Sequence, residues 1–495
     1  MRSIPLSPPS MVRRRFCAAL IAATLFASYF YFYQGTGWNQ NSHFDLARVL
    51  LEQHTVSIDR YQRGTGDKAF YNGHYYSDKA PGLSLLSLPA VSAAVPLAAE
   101  LHVRGARVAD VQLYLATVFT CSLAIALAAT VMFFVLLEWN FEPGAAAFAA
   151  VVLGLGTPMW VYATEFWGHA LASACLVFAF AAADRLRSSS VPGRSALLAA
   201  FVGLSAGWAV VSEYPAAIPA VLIGMIALIY CWRSLPNKKS FLFAAAALCF
   251  TAGLCLAVIL AYQQAAFGSP FRLGYEYVVN YQDTLHHGAL GVTYPKLHPL
   301  LALLFGKRCG LLLFTPVLAA APLGFYLLWR AGAPRLSLGV SAGIALYYVL
   351  FNASYLHWQA GASFGPRYLS PGLPFACLLL APVWQRARPA LKAVLTAAAS
   401  FGVAVALAGA TSFSMISESI GFSIREALRA LARGQLYQKG GAWNLGSLAG
   451  LHGWEVLFPL LAMWLVAALI WWRLASSRGQ MTAAVDGQHA SAAMR

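Results

Sequence analysis

The stretch 108–137, VADVQLYLATVFTCSLAIALAATVMFFVLL, contains a single charged side chain, Asp110. A run of this length can cross a bilayer as a helix, because about 20 apolar residues span the hydrocarbon core. Comparable runs recur along the chain, which is 59% hydrophobic and 11% charged, with a mean hydropathy of +0.62. A soluble domain carries about 25% charged residues. The runs do not alternate apolar and polar residues, so they predict an all-α polytopic membrane protein and not a transmembrane barrel.

These apolar runs predict about twelve crossings, with both termini in the cytoplasm. The first run, 16–33, follows three arginines and ends without an Ala-x-Ala cleavage pattern, so we expect it to stay as an uncleaved helix. The other crossings are expected near 108–137, 145–163, 169–184, 195–211, 215–232, 241–263, 309–329, 336–352, 369–385, 393–411 and 454–472.

The run 83–101 is apolar but contains Pro89 and Pro96, which interrupt a helix. If it crossed the membrane, the short loop around Arg187 and Arg194 would face outward, against the positive-inside bias. We therefore predict a broken or juxtamembrane helix on the outer face.

The predicted organisation is a single transmembrane domain over 1–475, with 34–107 as the first outer loop and 476–495 as a disordered cytoplasmic tail. The net charge of +16 comes from basic clusters between apolar runs. Such clusters are orientation signals and do not indicate nucleic-acid binding. The eight cysteines lie in or beside apolar runs without a CxxC pair, which favours small core residues over disulfides or a metal site.

Polar residues concentrate in the first outer loop. Residues 42–54 are expected to form an amphipathic helix, with Asn41, Asp45, Arg48 and Glu52 on one face. Its apolar face would lie toward lipid or the bundle. For Asp45 the alternative interpretation is an i, i+3 salt bridge to Arg48 on a solvated face.

Two cations lie where predicted outer segments meet apolar runs. Lys79 follows Asp78 and can hold an anionic headgroup as a point charge, or extend its ammonium to water at the interface. Arg367 begins an apolar run and can bind a phosphate bidentately. The alternative for its segment is a loop anchored by interfacial Trp358 and Tyr368.

Glu165 and His169 are spaced i, i+4 at the outer end of a predicted crossing and could hold a substrate hydroxyl or a metal ion. One histidine and one carboxylate are too few for a metal site, and a structural pair inside the bundle is equally compatible. Another outer loop contains Asp283, His286 and His287, so a divalent metal ion is left open as a cofactor and its ligands are unknown.

The order of these features resembles the GT-C superfamily of membrane glycosyltransferases, in particular the glycosyltransferase family 39-like groups of the protein O-mannosyltransferase and lipid A aminoarabinose transferase types. Phe44-Asp45-Leu46-Ala47-Arg48 resembles the family's first-loop carboxylate motif, and Tyr76-Ser77-Asp78-Lys79-Ala80-Pro81 resembles its Tyr/Phe-x-Glu/Asp-Lys-x-Pro-like element. The resemblance covers the first half of the chain and continues more loosely through Gly365-Pro366-Arg367-Tyr368. The family's acid falls near Asn39, which cannot act as a base, and Asp45 is the nearest carboxylate.

The resemblance implies transfer of a sugar, with inversion, from a polyprenyl-phosphate donor to an acceptor hydroxyl at the outer face of the inner membrane. It implies Asp45 as the general base, and Lys79 and Arg367 as ligands of the donor phosphate. The substrate-binding or supporting residues would be Asp78, Arg48, Glu165, His169, Tyr76 and Tyr368. The implied partners are the lipid-linked donor, membrane lipid, and a glycan, lipid or protein acceptor.

Two other functions stay open at this point. A transporter or lipid flippase would also be polytopic, although the halves show no convincing repeat and the polar residues favour outer loops over the centres of the crossings. A catalytically degenerate homologue is open because Asn39 stands where the family has an acid. The sequence has no GxGxxG or P-loop motif that would bind a nucleotide.

Overall fold

The computed structural model describes residues 11–105, 107–412, 417, 420–435 and 442–474, so the predicted tail 476–495 lies outside the described residues. The structure is 74% helical with almost no sheet, which confirms the predicted all-α class. By length and composition, nine helical segments in the described ranges can cross a membrane.

The first half of the chain forms the helices α1 (Met11–Phe30), α2 (Trp38–Glu52), α3 (Gly82–Glu100), α4 (Arg107–Thr117), α5 (Leu123–Glu138), α6 (Pro143–Leu155), α7 (Met159–Ala163), α8 (Gly168–Leu186), α9 (Pro192–Ser212), α10 (Ala217–Ser234) and α11 (Lys238–Phe267). The second half forms α12 (Leu297–Phe305), α13 (Leu311–Phe314), α14 (Ala321–Arg330), α15 (Arg335–Ser354), α16 (Leu373–Leu378), α17 (Leu380–Arg386), α18 (Pro389–Ser412), α19 (Ser423–Ala432), α20 (Leu445–Leu448) and a last helical segment, Gly453–Leu474. The strands are β1 (Phe32–Tyr33), β2 (Lys68–Tyr71), β3 (His74–Ser77) and β4 (Trp443–Asn444).

Each predicted crossing coincides with helical structure, but three of them are interrupted. The run 145–163 divides into α6 and α7, and the run 369–385 divides into a 3₁₀ turn, α16 and α17. The run 309–329 is divided in the same way, with prolines at the breaks. Helix α8 lies at the centre and packs on α5, α9 and α10. Of the residues in its apolar stretch, 89% are buried inside the protein. Its small residues allow these helices to approach closely.

Contacts along α8 separate two ends of the bundle. At one end the Cys121 thiol is 3.6 Å from the carbonyl of Trp167, just before α8 begins. At the other end Arg185 pairs with Glu138 at 3.0 Å. There the buried Asp184 also accepts hydrogen bonds from Trp139 and Ser337, at 2.9 and 2.5 Å. The segment between Cys121 and Glu138 therefore crosses the bundle antiparallel to α8.

Helix α3 begins at the Trp167 end. A Cβ on Gly82, its first residue, would lie 2.7 Å from the Ser212 hydroxyl at the end of α9. Arg107–Glu138 forms one helical segment of 32 residues, about 48 Å at 1.5 Å per residue, so α4 extends past Trp167 and packs on α3. The predicted juxtamembrane position stays a prediction, because α3 is also one of the nine described segments long enough to cross a membrane. The prediction of a broken helix is wrong, because α3 continues through Pro89 and Pro96.

The β2–β3 hairpin covers the same end. Its turn, Asn72-Gly73, has φ values of 50° and 86°, as a two-residue hairpin turn requires. The hairpin packs on the end of α11, where the Tyr262 hydroxyl donates to the Ser77 carbonyl at 3.0 Å. Tyr76 and Phe267 belong to the small apolar core between them. This arrangement holds the residues that follow β3 against the helix ends.

Candidate active site

The polar residues of the first loop are enclosed by protein. Helix α2 begins at Trp38, earlier than predicted, and its first ten residues are mostly buried. The expectation of a two-faced helix at the lipid interface is therefore wrong for this half of α2. The hairpin, α3 and a 3₁₀ turn at Gln62–Gly64 cover it.

Lys79 lies between two buried carboxylates. Its ammonium is 3.0 Å from Asp67 Oδ2 and 3.2 Å from Asp78 Oδ2. Only 16% of the lysine side chain is exposed. Ser42 of α2 approaches from the other side, 2.8 Å from the Ser77 hydroxyl and 3.4 Å from Asp78 Oδ1. The hairpin and α2 thus fix Lys79 at the end of the bundle.

Burial acts against the charge of Lys79, but Asp67 and Asp78 outweigh it and hold its pKa well above the usual value. Burial likewise opposes ionisation of Asp67, yet Lys79 and Arg367 lower its pKa. The pKa of Asp78 is raised, because burial dominates and the charge of Asp67 adds to it. Asp67 is therefore the main counter-ion of Lys79, and Asp78 is the carboxylate that more readily takes a proton.

A second pair joins the ends of α8 and α9. His169 Nδ1 lies 2.9 Å from Glu213 Oε1. Gly168 makes this approach possible, since a Cβ there would lie 2.6 Å from that carboxylate oxygen and 2.6 Å from the Ser212 carbonyl. His169 also contacts the Tyr368 ring edge-on, with 5.7 Å between centroids.

Arg367 lies between two aromatic rings. Its guanidinium carbon is 4.6 Å from the centre of Trp167 and 4.7 Å from the centre of Tyr368, whose hydroxyl accepts a hydrogen bond from Nη2 at 2.8 Å. Within the described part of the chain, its buried Nε has no hydrogen-bond partner. Burial disfavours the charge, but Tyr368 and Asp67 more than compensate and raise the pKa of Arg367. Arg367 is thus a fixed cation with an unused donor.

His43 connects these groups. It is 1% exposed, and burial lowers its pKa to about 3. The charges of Glu213, Lys79, His169 and Asp67 all act on this pKa, so His43 lies among them as a neutral imidazole. The ion-pair cluster, as used below, consists of Asp67, Asp78, Lys79, His169, Glu213 and Arg367.

Asp45, the base predicted from the sequence, lies apart from this cluster. It is 5% exposed, and burial raises its pKa to about 7, with only Arg48 acting in the opposite direction. A pKa near 7 suits a general base. However, none of the charged groups of the cluster acts on this pKa. The assignment of Asp45 as the base stays a prediction.

The alternative salt bridge between Asp45 and Arg48 does not occur among the described residues. Arg48 instead pairs with Glu52 at 3.3 Å and lies 3.7 Å over the ring of Tyr61. These contacts direct Arg48 toward the outer side of α2, away from Lys79.

Glu165 and Tyr76 take positions that their spacing does not indicate. Helix α7 ends at Ala163 and α8 begins at Gly168, so Glu165 and His169 do not share a helix, and His169 pairs with Glu213. Glu165 is buried in the intervening segment. Tyr76 packs on Phe267 at 5.4 Å between ring centroids, in the core under the hairpin. Tyr368, in contrast, borders the cluster.

The divalent metal ion left open by the sequence stays a prediction. No group of three or more histidine, cysteine or carboxylate side chains in the described ranges is placed to hold an ion. In the predicted loop, Asp283 pairs with His357 at 3.1 Å. Asp67 and Asp78 already face Lys79, so these carboxylates do not fit a divalent cation. No disulfide joins the eight cysteines, which all lie in the described ranges, and all but Cys249 are buried.

The sequence does not indicate Asp67 or His43 as site residues. It also does not indicate that His169 pairs with Glu213. Asp67 lies in Gly66-Asp67-Lys68, without a recognisable motif. Glu213 lies between two apolar runs. This position marks it as a polar residue at a helix end, but it does not identify the residue that Glu213 pairs with. The pairing depends on α8 and α9 meeting at Gly168, which is a tertiary contact.

The fold and the cluster define a polytopic helical membrane protein with buried, mutually compensated charges at one end of its bundle. No known family model and no curated protein sequence matches the chain. The chain is similar to the crystal structure of ArnT from Cupriavidus metallidurans in the apo state, at 14% identity and a TM-score of 0.48, over 80% of this chain and 63% of that one. It thus spans less than two thirds of that protein.

The structure of the same ArnT bound to undecaprenyl phosphate is similar over 92% of this chain and 75% of that one, again at 14% identity and a TM-score of 0.48. Archaeal oligosaccharyltransferase AglB from Archaeoglobus fulgidus, in complex with an inhibitory peptide and a dolichol-phosphate, is similar at 11% identity and a TM-score of 0.47, over 83% of this chain and 57% of that one. These neighbours are of the class that the sequence motifs resemble.

Proposed function

We propose that this protein transfers a sugar from a polyprenyl-phosphate donor to an acceptor hydroxyl at the membrane surface, with inversion. The observation that carries the proposal is the pair of fixed, buried cations, Lys79 and Arg367, held together at one end of an apolar bundle. A lipid phosphate is an anion that reaches such a position from the bilayer, and an arginine fork suits its oxygens.

The arrangement suits a leaving group that becomes more negative. The acceptor oxygen attacks the anomeric carbon while its proton passes to a base. The bond from that carbon to the phosphate oxygen breaks, and its electron pair stays on the phosphate. The unused Nε–H of Arg367 is available to the departing oxygen, and Lys79 supplies a second fixed charge. Fixed cations in a buried site stabilise such developing charge without reorganisation.

Asp67 and Asp78 have a supporting part in this proposal. They keep Lys79 charged in an apolar surrounding before the donor arrives. Because Asp78 takes a proton more readily than Asp67, a bound phosphate can displace it as a partner of Lys79 at small electrostatic cost. Membrane lipid holds the polyprenyl chain, and the acceptor is a glycan, lipid or protein.

The sidedness of the bundle supports a site that faces away from the cytoplasm. Basic residues gather at the end opposite the cluster, where Arg185, Arg187 and Arg194 end α8 and begin α9. Basic residues in short loops favour the cytoplasmic side. The cluster is at the other end of α8, and this supports a site at the outer face of the inner membrane.

The test uses purified full-length protein in vesicles containing a panel of undecaprenyl-phosphate-linked hexoses and pentoses, supplied with membrane glycolipids as acceptors. The readout is undecaprenyl phosphate, which every such transfer releases. We expect release with at least one donor. Arg367→Ala should lower the rate by about 100-fold or more, because a charge-stabilising donor is lost. Arg367→Lys should recover only part of it, since lysine lacks the fork.

Arg425→Ala is the matched control, because Arg425 is exposed on α19 and pairs only with Glu426 among the described residues. Its rate should equal that of the wild type. The proposal fails if folded wild-type protein releases no undecaprenyl phosphate from any donor, or if Arg367→Ala keeps the full rate.

A further inference from the structure

The reaction proposed above needs a group to take the acceptor proton. On the buried part of α2, the amides of Asn39 and Gln40 cannot accept a proton at neutral pH. Of the charged groups only Arg48 acts on the pKa of Asp45, so the cations of the cluster do not act on it. A base beside these cations can then come from the other elements that border the cluster.

His169 has the position and the orientation for this role. Its Nδ1 lies 2.9 Å from Glu213 Oε1, at hydrogen-bond distance. A carboxylate that accepts from Nδ1–H fixes the tautomer and leaves the lone pair on Nε2. The same relation between a carboxylate and an imidazole orients general bases in unrelated hydrolases. The imidazole is thus prepared to accept a proton on the nitrogen that Glu213 does not occupy.

The surroundings of His169 belong to the candidate site. Its ring contacts Tyr368 at 5.7 Å and Trp167 at 6.1 Å between centroids, and these are the two rings that hold Arg367. His43 from α2 and Glu213 from the end of α9 interact electrostatically with it, and Tyr368 of the 3₁₀ turn contacts its ring. Lys79 acts on both His43 and Glu213. The imidazole therefore lies on the same side as both phosphate-binding cations.

We infer that His169 is the catalytic base of the proposed transfer and that Glu213 is its positioning residue. The acceptor O–H proton passes to His169 Nε2 as the oxygen bonds to the anomeric carbon. The electron pair of the broken bond leaves on the lipid phosphate. Glu213 balances the imidazolium that forms, and the proton then returns to the released phosphate or to water.

The test measures release of undecaprenyl phosphate in the same vesicles, for the donor that is most active with the wild type, between pH 5 and pH 9. We expect His169→Gln to lower the rate at pH 7.5 by about 100-fold or more, the range for a lost general base. Binding of undecaprenyl phosphate itself, measured by native mass spectrometry, should be unchanged in this variant. If His169 had only a structural role, its replacement would lower both the binding of undecaprenyl phosphate and the transfer rate.

Glu213→Gln gives the second readout. Without the carboxylate that fixes the tautomer and orientation of the imidazole, the maximal rate should fall by about tenfold or more, whereas KM for the donor and binding of undecaprenyl phosphate should stay unchanged. A loss of protein stability alone would lower binding and rate together.

His74→Gln is the matched control. His74 also pairs with a carboxylate, Asp59, at 2.7 Å, but both side chains are exposed on the hairpin side of the first loop. Its rate and pH profile should match the wild type. The inference is overturned if wild-type protein is active and His169→Gln keeps its rate, or if Asp45→Asn abolishes transfer while His169→Gln does not. Absence of transfer by the wild type would instead reject the proposed function.

Discussion

At the scale of single residues, Asp45 shows how burial changes the meaning of a sequence motif. The motif marks it as the nearest carboxylate to the expected acid, and the structure buries it to 5% exposure. Its Oδ2 has no hydrogen-bond partner among the described residues. A buried carboxyl in this state favours its protonated form, because the charged form loses hydration without a compensating partner.

This state predicts a pH-dependent effect of Asp45→Asn on stability. The pKa of Asp45 is raised from 3.8 to about 7 in the folded protein, so ionisation costs folding free energy as the pH rises through that window. The cost is absent below pH 3.8 and complete above pH 7, where it approaches roughly 4 kcal/mol at 1.4 kcal/mol per unit. Asparagine does not ionise. Asp45→Asn should therefore raise the unfolding midpoint at pH 8 and leave it almost unchanged near pH 4.

Thermal unfolding in detergent at the two pH values measures this difference. Glu100→Gln serves as the control, because Glu100 is exposed at the end of α3 and should shift the midpoint little at either pH. A lower midpoint for Asp45→Asn at pH 8 would contradict the burial argument.

At the scale of elements, the pairing of His169 with Glu213 depends on the first residue of α8. A Cβ on Gly168 would lie 2.6 Å from both a carboxylate oxygen and the backbone carbonyl of Ser212, and the carbonyl cannot move without displacing α9. Gly168→Ala should destabilise the protein by about 1–3 kcal/mol, the usual cost of overpacking. It should also lower transfer by forcing Glu213 away from His169.

Gly193→Ala is the matched control, since Gly193 is also in the first turn of a helix but has open space around its Cβ position. Replacing that glycine should leave the rate unchanged and not lower the unfolding midpoint. Equal effects of the two alanines would mean that helix propensity, and not the fit between α8 and α9, decides the result.

Elements also show what the sequence could and could not predict. Helices with long apolar runs were predictable, because twenty apolar residues have few other structures in lipid. The sequence identified Asp78, Lys79 and Arg367 as candidates, since charged residues beside apolar runs are conspicuous, and their roles stay predictions. Asp67 and Glu213 were not identified as partners, because the contact of Asp67 with Lys79 depends on the fold of the hairpin between them and the contact of Glu213 with His169 joins α8 and α9. The continuity of α3 was also missed, as two prolines are tolerated where neighbouring elements support the helix.

At the scale of the whole molecule, helix α8 connects the two ends of the bundle. From His169 to Arg185 the helix rises about 24 Å at 1.5 Å per residue, close to the thickness of the hydrocarbon core. The ion-pair cluster and the loop that follows α8 must then lie on opposite sides of the membrane. Because α3 begins at the cluster end and packs on α4, which extends past Trp167, we expect it not to alter the sidedness of later helices.

The sidedness itself can be measured with single cysteines and a membrane-impermeant maleimide in intact spheroplasts. Arg63 is exposed in the first loop and Ser190 is exposed between α8 and α9. The native background should be low, because all native cysteines except Cys249 are buried and Cys249 is within an apolar membrane-length helix. We expect Arg63→Cys to react in intact cells and Ser190→Cys to react only after lysis, because its neighbouring arginines favour the cytoplasmic side. The reverse pattern would place the cluster in the cytoplasm, whereas reaction of both cysteines in intact cells would mean that α8 does not cross the membrane.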